Sequence, residues 1–522
     1  MPVPAPFPAA AADDRIASRR APRRVRPASA YYHRYHIATA ATPDLRPLPH
    51  RFLVQVNKFR LARLLLTELF RYWGRWDVVL NRPCIYGVFS GPVGGFSPRA
   101  ERCVGCLRCT IQHPDVVRIL PNPALRRLGD DYCTPRQVET IFYEASKGSV
   151  PVKGQGYRGR FGGAGWDGMW TDMSEIVRPT RDGIHGRELI STVVDIGARS
   201  THLQLAEDGS LAAPPPRTFT LQMPLLFDLL PDSLLAAARK GSAGSRLHDL
   251  AAIWARAAAE LETLAVLPLA TLRRCGLAGP QLAPLIGPGE IGDDLAELAA
   301  DAASAPQMVE LAGWEPDAFA ALARLLPETV VAVRLPFAAG WRGRLLDAFA
   351  AGARTFHLEA DYHGRGEAGG FVLDLLIEAN RALVEAGVRD QATLLGSGGI
   401  VAAEHVPKAI IAGLDAVALD TAALLALQCR PLGRFASRAT ARVEVPSGMT
   451  VGWGTQRLKN LCAAWRDQLL EVMGAMGLRE VRRLRGELGR AMFQHDLEAE
   501  AFGEIAGWSD PGGHRAEHGL HD

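Results

Sequence analysis

The chain lacks a long apolar run. No stretch approaches the ~20 uninterrupted apolar residues that span a bilayer, so no transmembrane helix is expected. The nearest candidate, Phe52–Trp76, is broken by Lys58, Arg60, Arg63, Glu68, Arg71 and Arg75. Cysteine is scarce. Eight in 522 residues is too few for a disulfide framework and fits a reducing, cytoplasmic setting. Charge of one sign is also missing, since 59 Lys and Arg stand against 56 Asp and Glu, a net of +3. The first 50 residues hold eight Arg and three Asp, so the rest sums to −2. A near-neutral body argues against nucleic acid as the main partner.

What is present is ordinary in bulk and unusual in one place. Apolar residues make up 48%, enough for a substantial core in two to four domains or one large barrel with additions. Three of the eight cysteines crowd into CVGCLRC, as Cys103, Cys106 and Cys109. Free buried thiols do not cluster this way; thiolates that grip a soft metal centre do. The spacing follows the bacterial ferredoxin run C-x2-C-x2-C-x3-C-P, with His113 and Pro114 in the last two places. In two-cluster ferredoxins that fourth cysteine serves the other cluster, so its replacement points to a single cluster. The fourth ligand is then Cys84, favoured by its place in the turn-rich segment before the trio, or Cys133, or His113. A 4Fe–4S cluster is the favoured expectation, with 3Fe–4S and zinc as alternatives.

The rest of the chain organises around this point. Residues 1–50 read as a disordered basic tail, faintly like a transit peptide. Residues 51–150 form the iron–sulfur domain. Within it 52–74 is expected to be a helix that docks on the body or lies on a membrane surface, and Pro135–Ser146 is an amphipathic helix. From about 190, apolar runs at 190–196, 219–225, 263–268, 307–311, 329–335, 353–359, 392–396 and 415–419 alternate with Ala- and Leu-rich helical segments. Such alternation makes a parallel sheet, and eight strands over roughly 240 residues match a (β/α)8 barrel. The expected fold is therefore α/β, with the barrel in 151–450 and a C-terminal helical segment in 451–522.

Several polar motifs sit where a barrel gathers its chemistry. The strand 392–396 runs into Gly396, Ser397, Gly398 and Gly399; the next, in DAVALDTA, ends at Leu419, Asp420 and Thr421. Loops after the last two barrel strands often bind phosphate through backbone N–H groups, although a tight glycine turn explains the same letters. Asp361, His363 and Arg365 in ADYHGRG follow another strand and suit proton transfer or orientation. Arg178, Arg181, His185 and Arg187 in RPTRDGIHGRE suit an anionic substrate, or form a solvated basic loop. Residues 154–168 hold seven glycines and read either as a connector or as backbone brought close to a ligand.

The segments RPTRDGIHGRELISTVVDIG, LLGSGGIVAAEHVPKAIIAGLDAVALDTA and LKNLCAAWRDQLLEVMGAMGLREVRRLRGE together resemble the FMN-binding domain of glutamate synthase. More closely they resemble the short glutamate-synthase-related proteins with an amino-terminal ferredoxin-like segment. The resemblance spans about residues 81 to 500. It implies FMN in the barrel, fed with electrons by the cluster, and the reductive amination of 2-oxoglutarate, through 2-iminoglutarate, to L-glutamate. It places the family's FMN phosphate loop on Gly398 and Gly399, followed by Leu419–Thr421. The family's flavin-side lysine falls on Arg334 in VAVRLP, where a positive charge would stabilise an anionic reduced ring.

The sequence departs from the family in three places. ADYHGRG stands where the family has DGGTGASP. The family's QGAKPGEGGQLPG segment has no counterpart, and neither does the amidotransferase domain. Ammonia would then come from a separate source, such as a glutamine amidotransferase chain, and electrons from ferredoxin or an NAD(P)H-dependent flavoprotein subunit. Two alternatives stand beside this: a related amidotransferase-complex subunit such as an N-methylglutamate synthase, and a non-catalytic electron-transfer or scaffold subunit.

Overall fold

Eight short apolar segments close on one another. In the computed structural model these are β1 (Leu225–Phe227), β2 (Ala265–Pro268), β3 (Leu282–Ile286), β4 (Met308–Ala312), β5 (Val330–Pro336), β6 (Thr355–Glu359), β7 (Thr393–Ser397) and β8 (Ala416–Leu419). They form a closed barrel in sequence order, every pairing parallel. The structure describes residues 35–75, 84–91, 93–151, 162–171, 190–199, 205–211, 216–237 and 242–507. No helix among them is long and apolar enough to cross a membrane.

The strands read as near-continuous hydrophobic runs because helices cover their outer faces, so both faces are buried. Burying each such Leu, Ile or Val contributes about 1.5–3 kcal/mol. The expected barrel is present, but two of the expected strands differ. The 190–196 run is not a barrel strand: Val194–Gly197 pairs antiparallel with Thr218–Leu221 as a separate two-stranded sheet. That sheet also takes 219–221 of the expected 219–225 strand, leaving only Leu225 to the barrel. The missing place in the count is taken by β3, whose Pro284 and flanking glycines hide its apolar pattern.

The 52–74 segment is also not one helix. Phe52–Val56 is a strand, paired antiparallel with Val117–Pro121. Asn57 then accepts a hydrogen bond from the Arg60 N–H and caps the helix Lys58–Arg71, an N-cap that ends the strand and starts the helix at one residue.

One long helix joins the lobes. Val451–Ala475 starts at the Thr450 cap and packs on both Ser242–Glu260 and Pro135–Lys147. The last of these carries a capping box between Thr134 and Gln137, proline in its first turn and a left-handed Gly148 at its end, so its limits are set locally. Buried polar groups lock the contact. Trp465 Nε1 donates to Glu144 Oε2 at 2.8 Å, and Arg457 Nε donates to the Ala426 carbonyl. Asn460 Nδ2 donates to the Ala40 and Ala145 carbonyls at 2.7 and 2.8 Å. Residues 37–46, assigned by composition to the tail, are thus bonded to the body: Gln428 Oε1 accepts from the Leu45 and Arg46 N–H groups, and Asp44 pairs with Arg457.

Asn460 is fully buried and satisfies backbone groups of two other segments. Asn460→Ala is expected to cost about 2–4 kcal/mol by leaving them unpaired. Urea denaturation measures this, and an unchanged midpoint would remove Asn460 from the joint.

Candidate functional site

The barrel interior holds charge. Arg334 on β5 is 2% exposed, and each of its guanidinium nitrogens meets a carboxylate. Nη1 and Nη2 donate to Asp228 at 2.8 and 2.7 Å, Nη1 donates to Glu310 at 2.9 Å, and Nε and Nη2 donate to Glu359 at 3.2 and 3.1 Å. His357 Nδ1 lies 2.7 Å from Glu310. Parallel register explains the meeting: Arg334 pairs with His357 on β6, and two residues earlier Ala332 pairs with Glu310 on β4. Burial opposes ionisation of Asp228, Glu310 and Arg334, but the mutual charges outweigh it. Asp228 and Glu310 are held below the usual carboxylate range by Arg334 and His357, and Arg334 is held above its own. A cation with three carboxylates is spent. Its single charge is shared among Asp228, Glu310 and Glu359, so the barrel floor stays acidic.

Above this floor, at the C-terminal ends of β1, β5, β6 and β8, lies a cavity of ≈ 250 Å³. Its charged lining is Asp228, Asp232, Glu359, Asp361, Glu367 and Asp420 against Arg365 and Arg438. Arg438 is already paired with Glu359 and Asp232. Burial, then the charge of Asp228, pushes Asp420 up to about 7. Asp420 also caps the Thr421–Ala426 helix by accepting from the Thr421 N–H.

Of the residues expected to act together, Asp361, Arg365 and Asp420 line this cavity, and Arg334 lies beneath it. Asp361 Oδ1 accepts from the His363 and Arg365 N–H groups at 2.9 and 2.7 Å, which folds the β6 loop back on itself. His363 turns elsewhere: Nε2 meets Asp130 Oδ2 at 2.7 Å and the ring stacks on Tyr132. Asp130 also accepts from the Cys133 and Phe435 N–H groups. Burial raises its carboxyl, but these bonds prevail and hold it low. His363 therefore clamps the cysteine lobe to the barrel.

The glycine turn does not border the cavity. Gly396, Ser397, Gly398 and Gly399 are all buried, as are Leu419 and Thr421. A Cβ on Gly398 would sit 2.5 Å from the Ala360 and Asp361 carbonyls, and one on Gly399 would sit 2.6 Å from Gly364 Cα. The Gly399 carbonyl accepts from Tyr132 Oη and Trp166 Nε1. Trp166 in turn stacks on His405, and Lys408 Nζ donates to its carbonyl. The glycines of 162–168 thus serve close packing. Residues 154–161, and with them Arg178, Arg181, His185 and Arg187, lie outside the described residues.

In the cysteine lobe, Gly105 and Leu107 both have positive φ, 74° and 58°. For Leu107 that is costly, the kind of strain found at ligand-holding loops. Cys84, Cys103 and Cys109 pack on one small core of Val88, Phe89, Val116 and Val117, while Cys106 is exposed. Burial raises the Cys103 thiol, and the charges of Cys106 and Cys84 act on it as well; Cys109 is raised by burial and feels Cys103. Cys84 therefore stands with the trio. Cys133 does not: it is buried beside Asp130.

Residues 360–479 match the conserved region in glutamate synthase. The archaeal glutamate synthase (NADPH) of Methanocaldococcus jannaschii is 36% identical over 128 residues, 23% of this chain and 25% of that one. The archaeal-type glutamate synthase (NADPH) of Dehalococcoides mccartyi is 23% identical over 437 residues, 74% of this chain and 86% of that one. The match thus spans a quarter of the first relative's length and most of the second's. Among solved structures the flavin-binding domain of baker's yeast flavocytochrome b2 is similar at a TM-score of 0.38 and 10% identity, covering 76% of this chain and 87% of that one, too loosely to carry an argument. The chain is an eight-stranded α/β barrel protein. Over residues 360–479 it carries the conserved region in glutamate synthase.

Sequence reasoning missed Asp228, Glu310, His357, Glu359, Tyr362 and Arg438. The signal was available: MVELA, VVAVRLP and TFHLE each place a charged or titratable residue inside an apolar run, which a buried strand tolerates only with partners.

Arg334→Met is expected to cost about 3–5 kcal/mol by stranding buried carboxylates, with Arg334→Lys less damaging because one charge stays. Urea midpoints of the two variants decide this; equal stability to the parent would show the ion cluster idle. Asp420 holds its proton in the fold more tightly than when unfolded. Its contribution to stability is therefore full below about pH 4 and lost as pH rises through about 7. Glu404, also pushed up to about 7 by burial, adds to the same window. Asp420→Asn is expected to flatten the fall in Tm between about pH 4 and about pH 7.5 without abolishing it, as calorimetry would show.

Proposed function

We propose that the chain is an oxidoreductase subunit of glutamate-synthase type, carrying an iron–sulfur cluster on Cys84, Cys103, Cys106 and Cys109 that delivers electrons for C–N chemistry at the barrel mouth. The observation that carries the reading is the gathering of four thiols around a strained loop, in a lobe clamped by His363 and Asp130 to a barrel that bears the glutamate-synthase region. Among the described residues, no three of these sulfurs lie mutually within 4.8 Å. Tetrahedral zinc needs sulfurs about 3.8 Å apart, given Zn–S bonds near 2.3 Å, closer than these thiols stand.

Kinship proposes the finer content: 2-oxoglutarate and ammonia reduced through 2-iminoglutarate to L-glutamate, with FMN as hydride carrier, ammonia from a partner amidotransferase, and electrons from ferredoxin or an NAD(P)H-dependent flavoprotein. The residues as they stand do not fit an FMN phosphate. The glycine turn is packed against the β6 loop, the Asp420 carboxylate occupies the helix start where an anion would sit, and Arg334 is neutralised. What this chain's own residues do at the mouth is exchange a proton at Asp420 near neutrality and present the Tyr362 hydroxyl. The spent Arg334 also favours a second reading, an electron-transfer or scaffold subunit.

Anaerobic purification with iron, sulfide and FMN quantification tests the reading. About four iron atoms per chain are expected, lost or reduced in Cys84→Ser and Cys106→Ser and retained in Cys133→Ser. Iron unaffected by the first two changes would sink the cluster assignment. Stoichiometric FMN would show that the β6 loop opens and would restore the family's flavin step.

A further inference from the structure

The barrel-mouth cavity has a charge that neither FMN nor a dicarboxylate explains. Six carboxylates line it against two guanidinium groups, of which Arg438 is committed to Glu359 and Asp232 while Arg365 donates to the Gly369 carbonyl and lies over the Phe371 ring. A second observation points to a ligand. Tyr362 lines the cavity and is 4% exposed, yet its hydroxyl has no hydrogen-bond partner. Its main chain is fixed, with the N–H donating to the Ala436 carbonyl and the ring stacked on Phe435. The hydroxyl feels the charges of Asp420, Asp228, Glu359 and Arg438, so it sits among the cavity's polar groups. A buried hydroxyl costs free energy unless something bonds it.

We propose that this cavity binds a small organic ammonium ion, its charge met by Asp420 and Asp361 and one of its N–H groups donated to Tyr362 Oη. A multidentate metal fits less well. Both Asp228 oxygens are taken by Arg334, and the one acidic and imidazole trio among the described residues close enough to share an ion, Asp130, Asp131 and His363, lies away from the cavity lining. A volume just under the usual range for ligand pockets selects a small guest. The inference deepens the proposed function by naming the substrate class of its site, an amine as nitrogen partner or product of C–N oxidation and reduction.

The test is calorimetric titration of the purified full chain with n-butylammonium chloride, with n-butanol as neutral isostere and glutarate as anionic counterpart. Butylammonium is expected to bind, with butanol and glutarate at least about tenfold weaker, a difference of ~1.4 kcal/mol. Tyr362→Phe removes a hydroxyl that bonds nothing in the protein, so it is expected to fold with unchanged or higher Tm and to weaken butylammonium about five- to tenfold. Asp420→Asn is expected to weaken it further. Equal binding of butanol, preference for glutarate, or a Tyr362→Phe affinity equal to the parent's would overturn the proposal. Iron content is read on the same samples. Loss of the cluster assignment leaves the titration standing, and failure of the titration leaves the cluster standing.

Discussion

One guanidinium group holds the barrel's interior together. Burying a charge is expensive, and burying four is worse, unless their geometry lets each cancel another. Arg334 meets Asp228, Glu310 and Glu359 from three other strands, with His357 closing the set on Glu310. Such a cluster is a poor source of stability compared with an apolar filling, but it is demanding about register. A slip of one residue in β5 would turn Arg334 outward and leave its carboxylates facing only each other. The ion cluster thus fixes which way β4, β5 and β6 face, and fixes the acidic ceiling on which the cavity rests.

The second constraint is backbone proximity at the end of β7. Gly398 and Gly399 lie so close to the β6 loop that no side chain fits, and the Gly399 carbonyl receives Tyr132 and Trp166 from two different segments. The turn is a junction where the cysteine lobe, the 162–171 segment and the barrel meet. His363 and Asp130 form a second tie between the same lobe and the barrel. Both ties start from loops at the C-terminal face, so the thiol loop is coupled to the barrel on the face where barrels keep their chemistry.

How much of this was legible follows from what each signal measures. Apolar runs report burial, so strands buried on both faces, β5 to β8 above all, stand out from the letters alone. β3 hides because LAPLI is interrupted by proline, and Val194–Gly197 misleads because a strand in a small antiparallel sheet is as apolar as one in a barrel. The thiol cluster was legible because spacing within seven residues is local. That Cys84 shares a small core with Cys103 and Cys109 while Cys133 is buried beside Asp130 emerges only from tertiary packing. The glycine turn shows the limit of motif reading: GSGG states that backbone must come close to something, and here that partner is the β6 loop. The ion cluster went unread because its members lie on separate strands, although each broke an apolar run in a way that demanded a partner.

Charge decides what the mouth of this barrel can hold. A site for a phosphate-bearing cofactor needs free N–H groups or several unspent cations, and here the helix start after β8 is capped by Asp420, Arg334 and Arg438 are bound to carboxylates, and Arg365 alone stands against Asp361 and Glu367. The same wall that repels a dianion attracts a cation. Burial in a low dielectric strengthens both effects, and it raises Asp420 to a range where it exchanges a proton near neutrality. A carboxylate of that kind beside a buried, unbonded tyrosine hydroxyl is suited to an amine, which needs a counter-ion when protonated and a proton acceptor when it reacts. The chain thus couples a thiol loop to a barrel whose mouth is lined chiefly by carboxylates, the setting for the ammonium guest proposed above.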